Sequence, residues 1–180
     1  MPLRARHHRI LLAAPLVALS WAACAGGPAT AELVDAAGKP VGSATLKQTP
    51  HGVLITATAE GLTAGEHAFH IHETGQCDPG TGFSSAGGHF ALGREHGFLV
   101  EAGPHPGDMP NVVVGADGRF AIEVLNGRVS LEPGADGDLF DADGSALVIH
   151  AGADDYHSQP AGAAGDRVAC GVIRAPDRTL

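Results

Sequence analysis

The sequence predicts an all-β sandwich or barrel. Short runs of alternating or β-branched residues recur between residues 31 and 174, and turns rich in Gly, Pro and Asp separate them. No segment has a convincing helical periodicity, and closely spaced short strands are typical of β-sandwiches and barrels. Because no internal repeat or domain boundary interrupts the pattern, we expect one domain.

The predicted strands follow one another along the chain with short turns between most of them. They lie at 31–35, 41–49, 52–58, 66–73, 111–114, 119–125, 145–150 and 167–174. The Asp117-Gly118 turn predicts that the two strands flanking it form a hairpin. Two stretches, 77–109 and 151–166, do not fit strands, and connections of this length are usually functional.

The N-terminal segment has the features of an export signal. Three arginines precede an apolar run at 10–23 that is too short to span a bilayer comfortably. Those arginines are Arg4, Arg6 and Arg9. An uncleaved membrane anchor is the weaker interpretation, because Pro15 and Ser20 interrupt the apolar run.

Two processing sites compete at the end of this segment. Ala29-Thr30-Ala31 fits the A-x-A cleavage pattern, which predicts a signal peptide at 1–31 and a folded domain at 32–180. Trp21-Ala22-Ala23-Cys24 partly resembles a lipoprotein cleavage box, in which Cys24 would be lipidated. We therefore predict a periplasmic or exported protein, with lipid anchoring to the membrane through Cys24 as the alternative.

Charge and cysteine content narrow the functional class. Removing residues 1–31 takes away three of the 11 basic residues and none of the 20 acidic ones, which leaves a net charge of −12. This balance argues against a nucleic-acid partner. Two cysteines remain, Cys77 and Cys170, and an even number in an exported protein suggests one disulfide.

The histidines suggest two metal sites. His70 and His72 are two residues apart on a predicted strand, so their side chains point to the same face. His150 ends another apolar strand, and together with one loop histidine these residues make four imidazoles, a set that suits copper. The long loop adds a second group that matches tetrahedral zinc, namely His89, His96, His105 and Asp108. Solvated loop histidines are the alternative for the second group.

Five motifs, taken in order, resemble the exported bacterial branch of the copper/zinc superoxide dismutase family. They are Gly65-Glu66-His67-Ala68-Phe69-His70-Ile71-His72, Ala86-Gly87-Gly88-His89-Phe90, His105-Pro106-Gly107-Asp108, Val148-Ile149-His150 and Gly165-Asp166-Arg167-Val168-Ala169-Cys170-Gly171. The resemblance implies a flattened eight-stranded Greek-key β-barrel, an immunoglobulin-like sandwich, with two long functional loops.

The resemblance also implies a set of residue roles. Copper would be bound by His70, His72, His89 and His150, and Zn²⁺ by His89, His96, His105 and Asp108, so that His89 bridges the two metals. Cys77 and Cys170 would form the family disulfide, and Asp154 would link a copper ligand to a zinc ligand. The implied substrate is superoxide, which redox-cycling copper converts to O₂ and hydrogen peroxide as an antioxidant defence in the cell envelope. Arg167 would attract and orient the anion, and His89 would carry a proton.

Some features depart from the family pattern or stay open. The interval from His89 to His96 is one residue shorter than in the family. His67 has the opposite strand parity from His70 and His72, so we expect it to be packed and hydrogen-bonded near the site, whereas His51 and His157 receive no role. A copper chaperone or buffer of the same fold and a β-sandwich binding module are the competing functions. The sequence leaves monomer and homodimer open.

Overall fold

The chain folds almost entirely into β-strands. The structure is a computed structural model that describes residues 27–176. Within these residues the strands are β1 (Ala29–Asp35), β2 (Pro40–Thr49), β3 (Gly52–Ala59), β4 (Gly65–His67), β5 (Phe69–His72), β6 (Val112–Val114), β7 (Phe120–Asn126), β8 (Ala146–His150) and β9 (Arg167–Val172). Two single-turn 3₁₀ helices lie at Pro79–Thr81 and Ser84–Ala86. No helix in the described part of the chain is both long and apolar enough to cross a bilayer.

Seven strands form one curled antiparallel sheet in the order β5-β8-β9-β1-β2-β3-β7, and β4 pairs with β6 beside it. β4 and β5 are separated only by Ala68, whose backbone bonds instead to Gly152 and His150. Counted as one interrupted strand, they bring the number of strands to eight. The neighbours β9–β1 and β3–β7 are distant in sequence, as the crossovers of a Greek key require. The prediction of an all-β, barrel-like fold is confirmed.

Alternating side chains build the core. In β3 every second residue is buried, from Val53 and Ile55 to Ala57, because successive side chains of a strand point to opposite faces. β5 and β8 differ, since every residue in both strands is buried. On one face, Phe69 and Ile71 of β5 and Leu147 and Ile149 of β8 pack into the barrel core. On the other face, the two histidines of β5 are covered by the long loops. Full burial on both faces thus sets a rigid base for the site.

The predicted hairpin at Asp117-Gly118 is only partly formed. The turn closes, because the Gly115 N–H donates to the Arg119 carbonyl at 2.8 Å. The ladder between the flanking strands was predicted wrongly: β6 pairs with β4, and β7 pairs with β3 along its whole length. A turn signal is local, whereas the choice of ladder partner depends on which strand edge is free in the complete fold.

The first strand begins two residues earlier than predicted. Ala29 and Ala31 are 0% and 1% exposed and lie opposite Leu46 and Ala44 of β2. Residues assigned from the sequence to the end of a signal peptide therefore belong to the folded core. Residues 1–26 of the predicted leader, including Cys24, lie outside the described residues.

Two long segments cover one side of the barrel. The first connects β5 to β6 and the second connects β8 to β9. Cys77 in the first segment forms a disulfide with Cys170 in β9, and their Cα atoms are 5.6 Å apart. Phe83 and Val148 pack in the same small apolar cluster as this disulfide. The first segment is thereby fixed to the sheet at the end nearest the histidines.

Candidate metal centre

Four buried imidazoles converge at the end of β5 and β8. His70 and His72 point to the same side of β5, His150 ends the adjacent β8, and His89 enters from the long segment. A single bridge joins the backbones of His72 and His89, which places the loop histidine beside the strand. One nitrogen from each of the four rings lies within 4.8 Å of the others. We call these residues the first group.

Backbone carbonyls determine which nitrogen of each ring is free. Nδ1 of His72 lies 3.1 Å from the Gly87 carbonyl, and Nδ1 of His150 lies 3.3 Å from the Gly165 carbonyl. A carbonyl oxygen only accepts, so both Nδ1 atoms carry the proton and both Nε2 atoms present lone pairs. The two Nε2 atoms face each other at 3.4 Å. Two opposed lone pairs are repulsive alone and are suited to a shared cation.

The other two rings of the first group point the same way. His70 donates from Nε2 to Asp154 at 2.9 Å, which leaves its Nδ1 as the acceptor. Nδ1 of His70 and Nε2 of His89 are buried and have no hydrogen-bond partner. Buried polar atoms are almost always paired. These orphaned atoms therefore fit a metal ion that all four imidazoles would bind.

Three imidazoles and one carboxylate form the second group. Oδ1 of Asp108 lies 2.9, 3.0 and 3.3 Å from Nδ1 of His89, His96 and His105. Oδ2 of Asp108 accepts the backbone N–H groups of Gly97 and His105, both at 2.9 Å, which fixes the direction of the carboxylate. Nitrogen and oxygen donors in this number match a tetrahedral zinc site.

The shortened interval between His89 and His96 is closed by a tight turn. The Arg94 N–H donates to the Ala91 carbonyl at 3.1 Å, and Leu92 between them has a φ of 48°. This left-handed conformation is unusual for a non-glycine residue. The Arg94 side chain also donates to the carbonyls of Gly103 and Pro104. The turn brings His96 into the second group despite the missing residue.

Asp154 connects the two groups. Its Oδ2 accepts from Nε2 of His70 at 2.9 Å, and its Oδ1 accepts from Nε2 of His96 at 3.0 Å. The carboxylate is buried, with 3% of the residue exposed. Such contacts orient a metal-binding imidazole and raise its basicity.

Two residues that hold Asp154 were missed by the sequence reasoning. The side-chain amide of Asn111 donates to the Asp154 carbonyl and accepts the Asp154 N–H, both at 2.9 Å. Gly162 has a φ of 69°, and a Cβ added there would collide with the Asp154 carboxylate. No local pattern marks Asn111. At position 162 the sequence shows only a glycine in a long loop, a residue type that permits a left-handed backbone and a close approach.

The pKa shifts separate the two groups. Burial lowers the pKa of His72 to about 2, that of His89 to about 4 and that of His150 to about 3, so these rings are neutral at pH 7. For His96, burial also lowers the pKa, but hydrogen bonds to Asp108 and Asp154 outweigh it and raise the value to about 9. Burial alone would raise the pKa of both carboxyls, but hydrogen bonds from His105, His89 and His96 to Asp108, and from His70 and His96 to Asp154, hold both pKa values below their usual range.

A cleft of about 320 Å³ opens onto the first group. Its lining includes His72, His89, His150, Pro160 and Arg167. Of the residues that line it, Arg167 is the only permanent cation. Its Nη1 and Nη2 donate to the carbonyls of Phe83 at 2.5 Å and Gly87 at 2.6 Å. The guanidinium is therefore fixed at the rim of the cleft.

The remaining described histidines lie where the sequence predicted. His67 is 2% exposed, and its ring nitrogens contact the carbonyls of His150 at 2.7 Å and Thr63 at 2.8 Å. It thus supports the end of β8 from behind the first group. His51 and His157 are exposed.

Comparisons with known proteins agree with this geometry. Residues 41–173 match the family described as copper/zinc superoxide dismutase. The chain is 49% identical over 166 residues to "Superoxide dismutase [Cu-Zn] 2" of Aquifex aeolicus, covering 91% of this chain and 96% of that protein. It is 47% identical over 151 residues to "Superoxide dismutase [Cu-Zn]" of Caulobacter vibrioides, covering 81% of this chain and 85% of that protein.

Solved structures extend the similarity to the fold. A "SOD-like protein from Bacillus subtilis" has a TM-score of 0.76 and 40% identity, covering 80% of this chain and 97% of that one. The "Cu/Zn superoxide dismutase from Brucella abortus" has a TM-score of 0.65 and 28% identity, covering 82% of this chain and 99% of that one. With two histidine groups that can hold copper and zinc and a family match over most of its length, the chain belongs to the copper/zinc superoxide dismutase family.

Proposed function

We propose that the first group binds copper, the second group binds zinc, and the paired site disproportionates superoxide to O₂ and hydrogen peroxide. The observation that carries the assignment is the position of His89. Its Nδ1 faces the second group, and its Nε2 is the orphaned atom that faces the first. One imidazole can therefore serve two ions.

The types of donor atom support the assignment of copper to the first group and zinc to the second. Four imidazoles with no carboxylate suit copper, and the mixed nitrogen and oxygen set of the second group suits zinc. Copper held by the first group would supply the redox chemistry, accepting one electron from one superoxide ion and giving it to a second. In the second group, the Asp108 carboxylate contacts Nδ1 of His89 as well as His96 and His105, so it fixes His89 from its Nδ1 side.

The protein's own residues handle the anion and the protons. Arg167 attracts superoxide into the cleft and orients it, because a fixed guanidinium presents several donors beside the first group. His89 holds a proton at Nε2 when that atom is free and passes it to the reduced product. Two protons are consumed for each O₂ and hydrogen peroxide formed. A proton carrier inside the cleft therefore shortens the time needed for the second half-reaction, in which hydrogen peroxide forms.

A metal-resolved assay tests these assignments. The purified protein is stripped with chelator and reloaded with copper, zinc or both, followed by elemental analysis and superoxide-consumption kinetics. We expect one copper and one zinc per chain, with activity that requires copper. His105→Ala should lose zinc and retain copper, because His105 belongs only to the second group. Copper binding without superoxide turnover would instead indicate a copper carrier, and retention of zinc by His105→Ala would contradict the zinc assignment.

We also propose that the protein is exported to the cell envelope and that processing occurs upstream of Ala29. The disulfide supports an oxidising compartment. Cleavage after Ala31 would remove two buried alanines of β1, together with the Thr30 backbone bonds to Arg174 at 3.0 and 2.8 Å. Processing at Cys24 leaves this strand complete and provides a lipid anchor on a short tether.

Mass spectrometry of the mature protein decides between the two processing sites. We expect an N-terminal Cys24 carrying lipid, and we expect Cys24→Ala to move the protein from the membrane fraction to the soluble envelope fraction. A mature chain that begins at Glu32 would contradict the proposal. An unmodified chain that begins upstream of Ala29 would support the complete β1 strand but not the anchor.

A further inference from the structure

One side chain outside both groups contacts the backbone of a proposed zinc ligand twice. Oε1 of Gln159 accepts the His96 N–H at 2.9 Å, and Nε2 of Gln159 donates to the His96 carbonyl at 2.8 Å. The amide thus pairs with His96 as a neighbouring strand would. His96 itself is 0% exposed, so its backbone groups depend on protein partners rather than on water.

His96 needs this support more than the strand-borne ligands do. His70 and His72 lie in β5, where ladder bonds to β8 fix the backbone. His96 lies in no strand or helix and follows the tight turn with left-handed Leu92. A ligand carried on such a loop depends on side-chain contacts for its position.

Gln159 also connects His96 to the wall of the cleft. The next two residues, Pro160 and Ala161, line the cleft above the first group. Asp154, in the same segment between β8 and β9, holds the His96 ring at Nε2. The segment between β8 and β9 therefore binds the backbone of His96 through Gln159 and its ring through Asp154.

We propose that Gln159 is a positioning residue that fixes the backbone of His96 and thereby sets the affinity of the second group for zinc. This inference rests on the proposed assignment of His96 to zinc. The amide acts through His96 and touches neither substrate nor metal. Its loss should loosen the second group while the strand-borne ligands of the first group stay in place.

The test measures zinc affinity rather than activity. Metal-free Gln159→Ala and Gln159→Glu proteins are titrated with Zn²⁺ against a chromophoric chelator, and separately with Cu²⁺. Glu retains an acceptor for the His96 N–H but places a second acceptor against the His96 carbonyl. We expect both variants to bind zinc about 10-fold more weakly, at the low end of the effect of contacts that orient a metal ligand. Copper affinity should stay within threefold of the parent.

The electronic spectrum of Co²⁺ bound in the second group gives an independent readout. A displaced His96 should change the intensity and position of the visible bands, which a loss of overall stability alone does not do. Gln48→Ala is the matched control. The Gln48 amide makes the same two kinds of bond on β2, accepting the Leu131 N–H at 2.8 Å and donating to the Thr49 carbonyl at 3.1 Å.

The outcomes separate this inference from the function on which it rests. Zinc affinity within twofold of the parent in Gln159→Ala overturns the inference, as does an equal loss in Gln48→Ala. His96→Ala tests the underlying assignment. If His96→Ala binds zinc like the parent, the assignment of His96 fails. If His96→Ala loses zinc while Gln159→Ala keeps it, only the positioning role fails.

Discussion

Replacing Asp154 with asparagine tests how the two groups are coupled. The Asp154 carboxylate accepts from His70 at 2.9 Å, from His96 at 3.0 Å and from the Tyr156 N–H at 2.6 Å. Asparagine has nearly the same shape but only one accepting oxygen. Whichever way its amide turns, one of the two imidazole N–H groups faces an NH₂ group instead of an acceptor.

The size of the effect follows from that single lost contact. A hydrogen bond to a charged group contributes about 1.5–3 kcal/mol, and each 1.4 kcal/mol is a tenfold change in an equilibrium constant. We therefore expect metal affinity to fall about 10- to 100-fold. The loss should fall mainly on zinc, because His96 lies on a loop, whereas the backbone of His70 is held in β5 whether or not its ring is oriented.

Chelator competition with Zn²⁺ and Cu²⁺ measures the two affinities separately. Asp155→Asn is the control, since Asp155 is the adjacent residue, is exposed and contacts neither group. The reasoning is refuted if Asp154→Asn binds zinc within threefold of the parent, or if Asp155→Asn weakens zinc binding to the same extent. A larger loss of copper than of zinc would refute the argument from the strand.

Three further predictions concern the cleft, the pH and the disulfide. Arg167→Glu should lower kcat/KM at least 10-fold with both metals retained, because steering by local charge changes association rates by 10- to 1000-fold; an unchanged kcat/KM with full metal content would remove the steering role. Because the pKa values of three first-group imidazoles are lowered, protonating them costs more in the folded state than in the unfolded state. The free energy of unfolding of the metal-free protein should therefore fall by up to about 2 kcal/mol per imidazole between pH 6.5 and pH 5, as measured by urea unfolding. The raised pKa of His96 affects a different pH range, because the stability it contributes is lost as the pH rises from 6.5 to about 9. Reducing the disulfide, which closes a loop of 93 residues, should lower the unfolding free energy by about 4–5 kcal/mol, and a smaller loss would indicate residual order in the unfolded chain.

The clustering of the proposed metal-binding histidines was predictable from the sequence because local geometry constrains several of them. Two histidines at i and i+2 on a strand must share a face, and His150 at the end of an apolar strand needs a polar neighbour. The family motifs then supplied the loop ligands. The structure brings all of these residues together, including His96, which the shortened interval had made the most distant from the family pattern.

The supporting contacts were not predictable in the same way. Asn111 and Gln159 bind the backbones of Asp154 and His96 from 43 and 63 residues away in sequence. An amide side chain on a loop looks the same in sequence whether it faces solvent or clamps a ligand. The prediction of strand pairing was wrong for a similar reason, because a turn joins β6 to β7 and yet each strand pairs with a different partner.

The environment of Arg167 supports its proposed role in attracting an anion to an acidic protein. Both of its hydrogen-bond partners among the described residues are carbonyl oxygens, which hold the guanidinium in place without cancelling its charge as a carboxylate would. One acidic residue, Glu73, lines the cleft together with Arg167, whereas exposed charges more than about 8 Å away are largely screened at physiological ionic strength. If Arg167 has the proposed role, the field at the cleft is set by this cation, Glu73 and the bound ions more than by the total charge. The disulfide maintains this arrangement, because the Phe83 carbonyl that fixes Arg167 belongs to the segment that Cys77 ties to β9.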